Sequence, residues 1–242
     1  MRRNDFLIKA FRGNMKALII LFIHWHLSVF TQSFFLHRYC SHKQFRMNQF
    51  WETFFYLFTY MVQGASFLNP RSYAIMHLNH HKFSDTRNDP HSPIEEPHFF
   101  KMMKKTLFEY QSILNSDLKY WGPEINVLDN FAKKKSNIAL WIFIYSAIYY
   151  LLDIPIPYYL LIPIHAFLGP IQGAIVNWCG HKYGYRNFSL KDNSHNLLAI
   201  DFLCGGELYQ NNHHRFSSKM NFASKWFEFD STYLVCKLLL KL

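Results

Sequence analysis

Three apolar stretches punctuate the 242-residue chain: Met15 to Leu36, Phe50 to Leu68, and Ile138 to Val176, the last interrupted by Pro155 and Pro157. A hydrocarbon core about 30 Å thick takes roughly 20 apolar helical residues to cross, so Met15 to Leu36 reads as one span. Ile138 to Val176 is about twice that length with prolines at its middle, which predicts a helical hairpin with both ends on one side. Its arms fall at about residues 138–153 and 156–177, and Pro163, Pro170 and Gly173 predict kinks in the second. Phe50 to Leu68 is too short to cross twice, and its placement depends on the histidines that flank it.

Composition supports a lipid-facing surface, since 19% of residues are aromatic and 25 are phenylalanine, more than a soluble core of this size requires. The mean hydropathy of -0.10 averages long apolar runs with basic, histidine-rich stretches. Lys and Arg number 26 against 16 Asp and Glu, a surplus that suits an anionic membrane face or an anionic substrate. The basic residues lie between apolar segments with no helix-turn-helix or zinc-finger spacing, which argues against a nucleic-acid partner. Cys40, Cys179, Cys204 and Cys236 form no CxxC pair, fitting a reducing compartment rather than a disulfide framework. The basic start (Arg2, Arg3, Lys9, Arg12) precedes a span-length run with no small-residue cleavage site, unlike a signal peptide.

Eight of the 14 histidines fall into ligand-like spacings. His77, His80 and His81 stand at i, i+3 and i+4, so a helix projects all three from one face toward metal. Gln210, His213 and His214 repeat that spacing with glutamine first, suggesting two halves of one site. His37 and His42, at i and i+5, are about 140° apart on an α-helix, which directs them to different ions or to opposite edges of a binuclear centre. Asn177 and His181, at i and i+4, share a face where the hairpin's second arm ends. Eight imidazoles exceed what one tetrahedral zinc uses, so two ions at open, higher-coordinate sites are expected. His24, His26, His91, His98, His165 and His195 read as locally satisfied histidines.

For His37 and His42 to share a site with His77, His80 and His81, both sets must lie on one membrane face. Phe50 to Leu68 then becomes a re-entrant or interfacial helix. Lys and Arg agree, with 13 between Leu36 and Ile138 and 8 after Val176, against 5 in the first 16 residues. The positive-inside rule makes the histidine face cytoplasmic. The expected fold is thus an all-α, multi-pass integral membrane protein in which residues 1–242 form a single domain. It has transmembrane helices, a re-entrant or interfacial helix, and a cytoplasmic helical cap carrying the histidines. Three spans put the basic N-terminus outside; an amphipathic start lying on the membrane, or a preceding helix, would reconcile the two.

At these residues the chain resembles the acyl-CoA (stearoyl-CoA type, delta-9) desaturases of the membrane fatty acid desaturase superfamily, from about Thr31 to Phe229. His37-Arg38-Tyr39-Cys40-Ser41-His42 resembles the family's HRxxxH box, and His77-Leu78-Asn79-His80-His81 begins the second, followed by a matching Asp89-Pro90-His91. Asn177-Trp178-Cys179-Gly180-His181-Lys182-Tyr183-Gly184-Tyr185-Arg186 resembles a stretch whose histidine is a ligand and whose asparagine contacts metal through water. Asp192, Ser194 and Asn196 fit the next polar motif, and Gly206 to His214 resembles GExxHxxHH. Gln210 stands where those desaturases carry histidine, and its carbonyl oxygen can still offer a ligand.

The resemblance implies two iron ions held by His37, His42, His77, His80, His81, His181, His213 and His214, with Gln210 a candidate ligand and Asn177 a water-mediated contact. It further implies O2-dependent removal of two hydrogens from adjacent methylenes of a fatty acyl-CoA or acyl-lipid, giving a cis double bond and water. No haem-binding HPGG or iron-sulfur run is present, so a separate electron donor is implied, a ferredoxin or a b-type cytochrome with its reductase. An alkyl chain offers no polar handle, so position must be measured along an apolar tunnel; Trp51, Trp121, Trp141 and Trp178 are candidates to line it. Arg71, Lys82, Arg87 and Arg186 are candidates for phosphate contacts. A lipid hydroxylase with a similar histidine cage is the second reading, and a metal-binding homologue inactivated at Gln210 the third.

Overall fold

The computed structural model describes the backbone of residues 3–241 and the side chains of residues 13–241, so the side chains of the basic start at Arg2, Arg3, Lys9 and Arg12 lie outside it. Helix α1 (Arg3–Phe30) runs without a break into a π-helix (Thr31–Ser41). Residues Gly13–Ser41 form a helix long and apolar enough to cross a membrane, and this contains the expected first span. Leu18, Ile19, Phe22, Ile23 and Leu27 make an exposed apolar stripe at helical spacing. All eleven π-helical residues are buried, including Gln32, Ser33, His37 and Arg38.

Helix α2 (Gln49–Gln63) starts at Asn48, whose side chain accepts from the Trp51 N–H, and stops at Gly64 with φ 55°. A Cβ at Gly64 would collide with the Tyr145 hydroxyl, so this stop needs glycine. Its 15 residues reach only about 22 Å, short of a bilayer core. A 3-10 turn (Gly64–Ser66) leads to α3 (Pro70–Phe83), which combines an Asn69 cap with proline at its first position. After α4 (Phe99–Leu114) and α5 (Asn126–Ala132) comes the apolar α6 (Lys135–Leu151).

The return from α6 is more broken than prolines alone predict. It comprises a 3-10 segment (Ile156–Leu161), α7 (Ile162–Ala166), α8 (Leu168–Ala174) and a π-turn (Ile175–Cys179). Its two parts meet at 63°, and the break falls at Phe167, not at Pro163, Pro170 or Gly173. Both prolines sit within the first turn of a short helix, where the missing N–H costs nothing, so they start helices and do not kink one. Helices α9 (Gln210–Arg215) and α10 (Ser231–Leu240) complete the described residues, which contain no strand beyond isolated bridges such as Tyr185–Asn196.

The core joins the π-helix to its neighbours: Phe34, Phe35, Leu36, Tyr39 and Cys40 pack with Phe55 and Tyr56 of α2, Ala74 of α3 and Cys236 of α10. A second cluster (Tyr60, Trp141, Tyr145, Ile162, Ala166) ties α2 to α6 and α7.

Candidate metal centre

Four segments deliver eight imidazoles to one place. The π-helix brings His37 and His42, α3 brings His77, His80 and His81, the chain just past the π-turn brings His181, and α9 brings His213 and His214. They divide into two sets, His37, His42, His77, His81 and His213 in one and His80, His181 and His214 in the other, with ligand atoms inside each set within 4.8 Å of one another. The partition cuts across the sequence triplets. His77 and His81, one helical turn apart, go to the first set while His80 goes to the second, and His213 and His214 separate likewise. Each triplet straddles both sets, where the sequence had suggested that each forms its own half.

The π-helix explains a second correction. Its hydrogen bonds close five residues on, as in the His42 N–H to His37 carbonyl bond of 3.1 Å, so i and i+5 stack on one face. His37 and His42 therefore serve the same set and are not splayed as on an α-helix.

Behind the rings the two sets differ. In the three-histidine set every Nδ1 meets a carboxylate: His80 with Asp89 at 3.0 Å, His181 with Asp85 at 3.1 Å, and His214 with Asp192 at 3.1 Å. Each contact fixes the tautomer and turns Nε2 inward, where those of His80 and His214 face each other at 3.3 Å. In the five-histidine set one carboxylate is present, Glu207, bonded to His37 Nδ1 at 2.5 Å and to Arg38 at 3.1 Å. Burial works to raise the Asp85, Asp192 and Glu207 carboxyls, yet their histidine and N–H, O–H or arginine partners outweigh it and hold all three below the ordinary carboxylate range.

The five-histidine set holds a line of facing nitrogens: His42 Nε2 to His77 Nε2 at 2.7 Å, His77 to His81 at 3.0 Å, His81 to His213 at 2.9 Å, and His213 to His37 at 3.0 Å. Burial first, and then neighbouring imidazoles, keep His77, His80, His81 and His213 well below the ordinary histidine range and push His42 down to about 2. Burial also lowers His214. Neutral rings are the ligating form, and neutral nitrogens stacked lone pair to lone pair are relieved by a cation among them. His181 Nε2 is buried with no hydrogen-bond partner, as expected of a ligand nitrogen. The donor set thus fits two cations preferring imidazole, the behaviour of iron, zinc or copper.

Beside the histidines lies a cavity of about 370 Å³. His37, His77, Asn177, Glu207 and Gln210 form part of its wall, and Phe67, Leu68, Tyr73, Met76, Met102 and Leu107 supply apolar surface.

Residues 15–224 match the sequence model of the family described as fatty acid desaturase. The chain belongs to the fatty acid desaturase family. It is 30% identical to the Delta-9 desaturase-like 4 protein of Arabidopsis thaliana, over 96% of this chain and 76% of that protein. It is 28% identical to an acyl-CoA 5-desaturase of Anemone leveillei (87% and 64%), and 27% identical to a hex-5-enoyl-[acyl-carrier protein] acetylenase of Moorena producens (86% and 69%).

Within this desaturase-family chain several sequence expectations change. Gln210 donates its amide to the Glu207 carbonyl at 3.0 Å, and Gly180 makes room for it, since a Cβ there would lie 2.7 Å from Gln210 Cγ. Asn177 lies in the π-turn and on the cavity wall, so its α-helical i, i+4 relation to His181 does not hold. None of Trp51, Trp121, Trp141 and Trp178 lines the cavity. Trp121 bonds the Cys40 carbonyl, Trp141 packs in the core, and Lys182 sits 3.8 Å over Trp178. Arg71 is spent on the carbonyls of Ile113, Leu114, Ser116 and Leu118, and Arg186 on those of Leu190 and Asp192. His24 and His165 bond each other, and His26 and His195 bond backbone carbonyls, as read. His91 is different: it is 3% exposed and neither ring nitrogen has a partner. The carboxylates behind the rings and the cavity wall were missed, although Asp85, Asp89 and Asp192 lie within recognised motifs and Glu207 within the last box.

Proposed function

We propose that the chain desaturates a long-chain fatty acyl substrate, an acyl-CoA in a delta-9 type reaction, at a di-iron centre held by the eight histidines. The observation that carries this reading is the convergence of eight imidazoles in two sets, two of which, His37 and His77, open onto a largely apolar cavity. His37, His42, His77, His81 and His213 would hold one ion, and His80, His181 and His214 the other. Two iron ions bound there would supply, with O2 and two external electrons, the oxidising power to remove hydrogen from an unactivated alkyl chain.

The chain's own residues do the positioning. Phe67, Leu68, Met76, Met102 and Leu107 shield the alkyl chain from water and hold it against the histidine wall. Asp85, Asp89, Asp192 and Glu207 keep their histidines in the tautomer that presents Nε2. We place residues 15–36 and the paired arms of α6 and α7–α8 in the bilayer, α2 at its interface, and the histidines on the cytoplasmic face of a multi-pass domain spanning residues 1–242. A ferredoxin or b-type cytochrome would deliver electrons. The acyl-CoA substrate is supported by the name of the Anemone relative.

The test is fatty-acid profiling of a desaturase-deficient host expressing the chain with an electron donor. A new monoene, 2 H lighter than its parent, is expected and reports double-bond position. A product heavier by one oxygen would make the chain a hydroxylase. No product from the natural sequence, with product from Gln210→His, would make it an inactive homologue.

A further inference from the structure

We infer that His91 is a fourth imidazole of the three-histidine set, supplying the nitrogen that glutamine at position 210 lacks. The assignment rests on the di-iron reading and adds a residue to it. A buried imidazole with both nitrogens unbonded forgoes the hydrogen bonds that water would give it, and native interiors rarely accept that without a reason. Position 91 is held inside the protein: the residue is 3% exposed and its backbone N–H is tied to Asp89 Oδ1 at 3.0 Å.

Its surroundings point to metal. The His91 and His80 ring centroids are 4.3 Å apart, and a His91 nitrogen lies within 4.8 Å of donor atoms on His80 and Asp89. His80 also belongs with His181 and His214, so the two overlapping sets share a member. Gln210 and His91 line the same cavity. With its amide nitrogen committed to the Glu207 carbonyl, Gln210 can offer only a carbonyl oxygen, a weaker partner for iron than imidazole. Three histidines alone leave this set two ligands short of its neighbour, and among the described residues His91 is the buried imidazole with neither nitrogen hydrogen-bonded.

The experiment compares iron per chain, and the imidazole signature of iron K-edge X-ray absorption, in purified full-length protein after iron-replete expression. The natural sequence is set against His91→Ala, His91→Asn, the double variant His91→Ala with Gln210→His, and an exposed control, His98→Ala. The natural protein and the control should hold two ions. His91→Ala should fall to about half that content with fewer imidazoles per iron. Gln210→His should restore it in the double variant. Where the alanine variant elutes as aggregate, His91→Asn carries the same expectation. Two ions in the natural protein and the same two, with an unchanged absorption spectrum, in a folded His91 variant would overturn this assignment alone. A natural protein without iron would overturn the di-iron reading and this assignment with it.

Discussion

The two sets of histidines use one residue type and solve different problems. The five-histidine set is rich in ligands and poor in support: its rings lean on one another, and only His37 has a carboxylate behind it. The three-histidine set is poor in ligands and rich in support, each ring braced by its own aspartate. An ion in the first is nearly enclosed by nitrogen. An ion in the second would keep open positions, with charge from three carboxylates nearby to stabilise it. The comparison teaches that ring count alone does not measure a site's strength, since few braced ligands can match many unbraced ones.

Removing a ring should therefore hurt most where rings are few. His181→Ala takes a braced ring from the smaller set, and iron by elemental analysis should drop from two ions per chain to about one, with product formation lost. His42→Ala takes one of five and should keep most of the iron while product falls roughly tenfold, at the lower end of supporting-ligand effects. The reverse order would break the comparison.

Bracing is the next largest effect. Asp85→Asn keeps the shape but gives His181 Nδ1 a weaker partner, and metal affinity should fall by roughly 10–100-fold. The smallest effect on metal belongs to a residue outside both sets. Arg71→Ala exposes carbonyls at the end of α4, so thermal unfolding should report a loss of about 1–2 kcal/mol with iron content unchanged.

The eight histidines that the sequence boxes single out do come together, because each box crowds histidines at short spacing. It did not carry their partition. On an α-helix His37 and His42 point apart, and only the π-helical register of Thr31–Ser41 turns them to one side. His80 parts from His77 and His81 because its ring meets Asp89 and His214, while His77 meets His42 and His81 meets His213. The first apolar run was legible as a span-length helix. The hairpin's second arm was not, since its bend comes at Phe167 and not at a proline. Candidate tunnel tryptophans misled because large aromatics also serve as hydrogen-bonding core, as Trp121 and Trp141 do. His91 was misread as satisfied because a lone histidine usually is, and its missing partners are visible only in three dimensions.

Mössbauer spectroscopy of the purified, iron-loaded natural protein tests the central claim most directly, because it counts and distinguishes iron environments without requiring turnover. Two inequivalent sites of equal area, at two ions per chain, are predicted from the five-histidine and braced three-histidine sets. One site only, or iron at trace level after iron-replete expression, would contradict it.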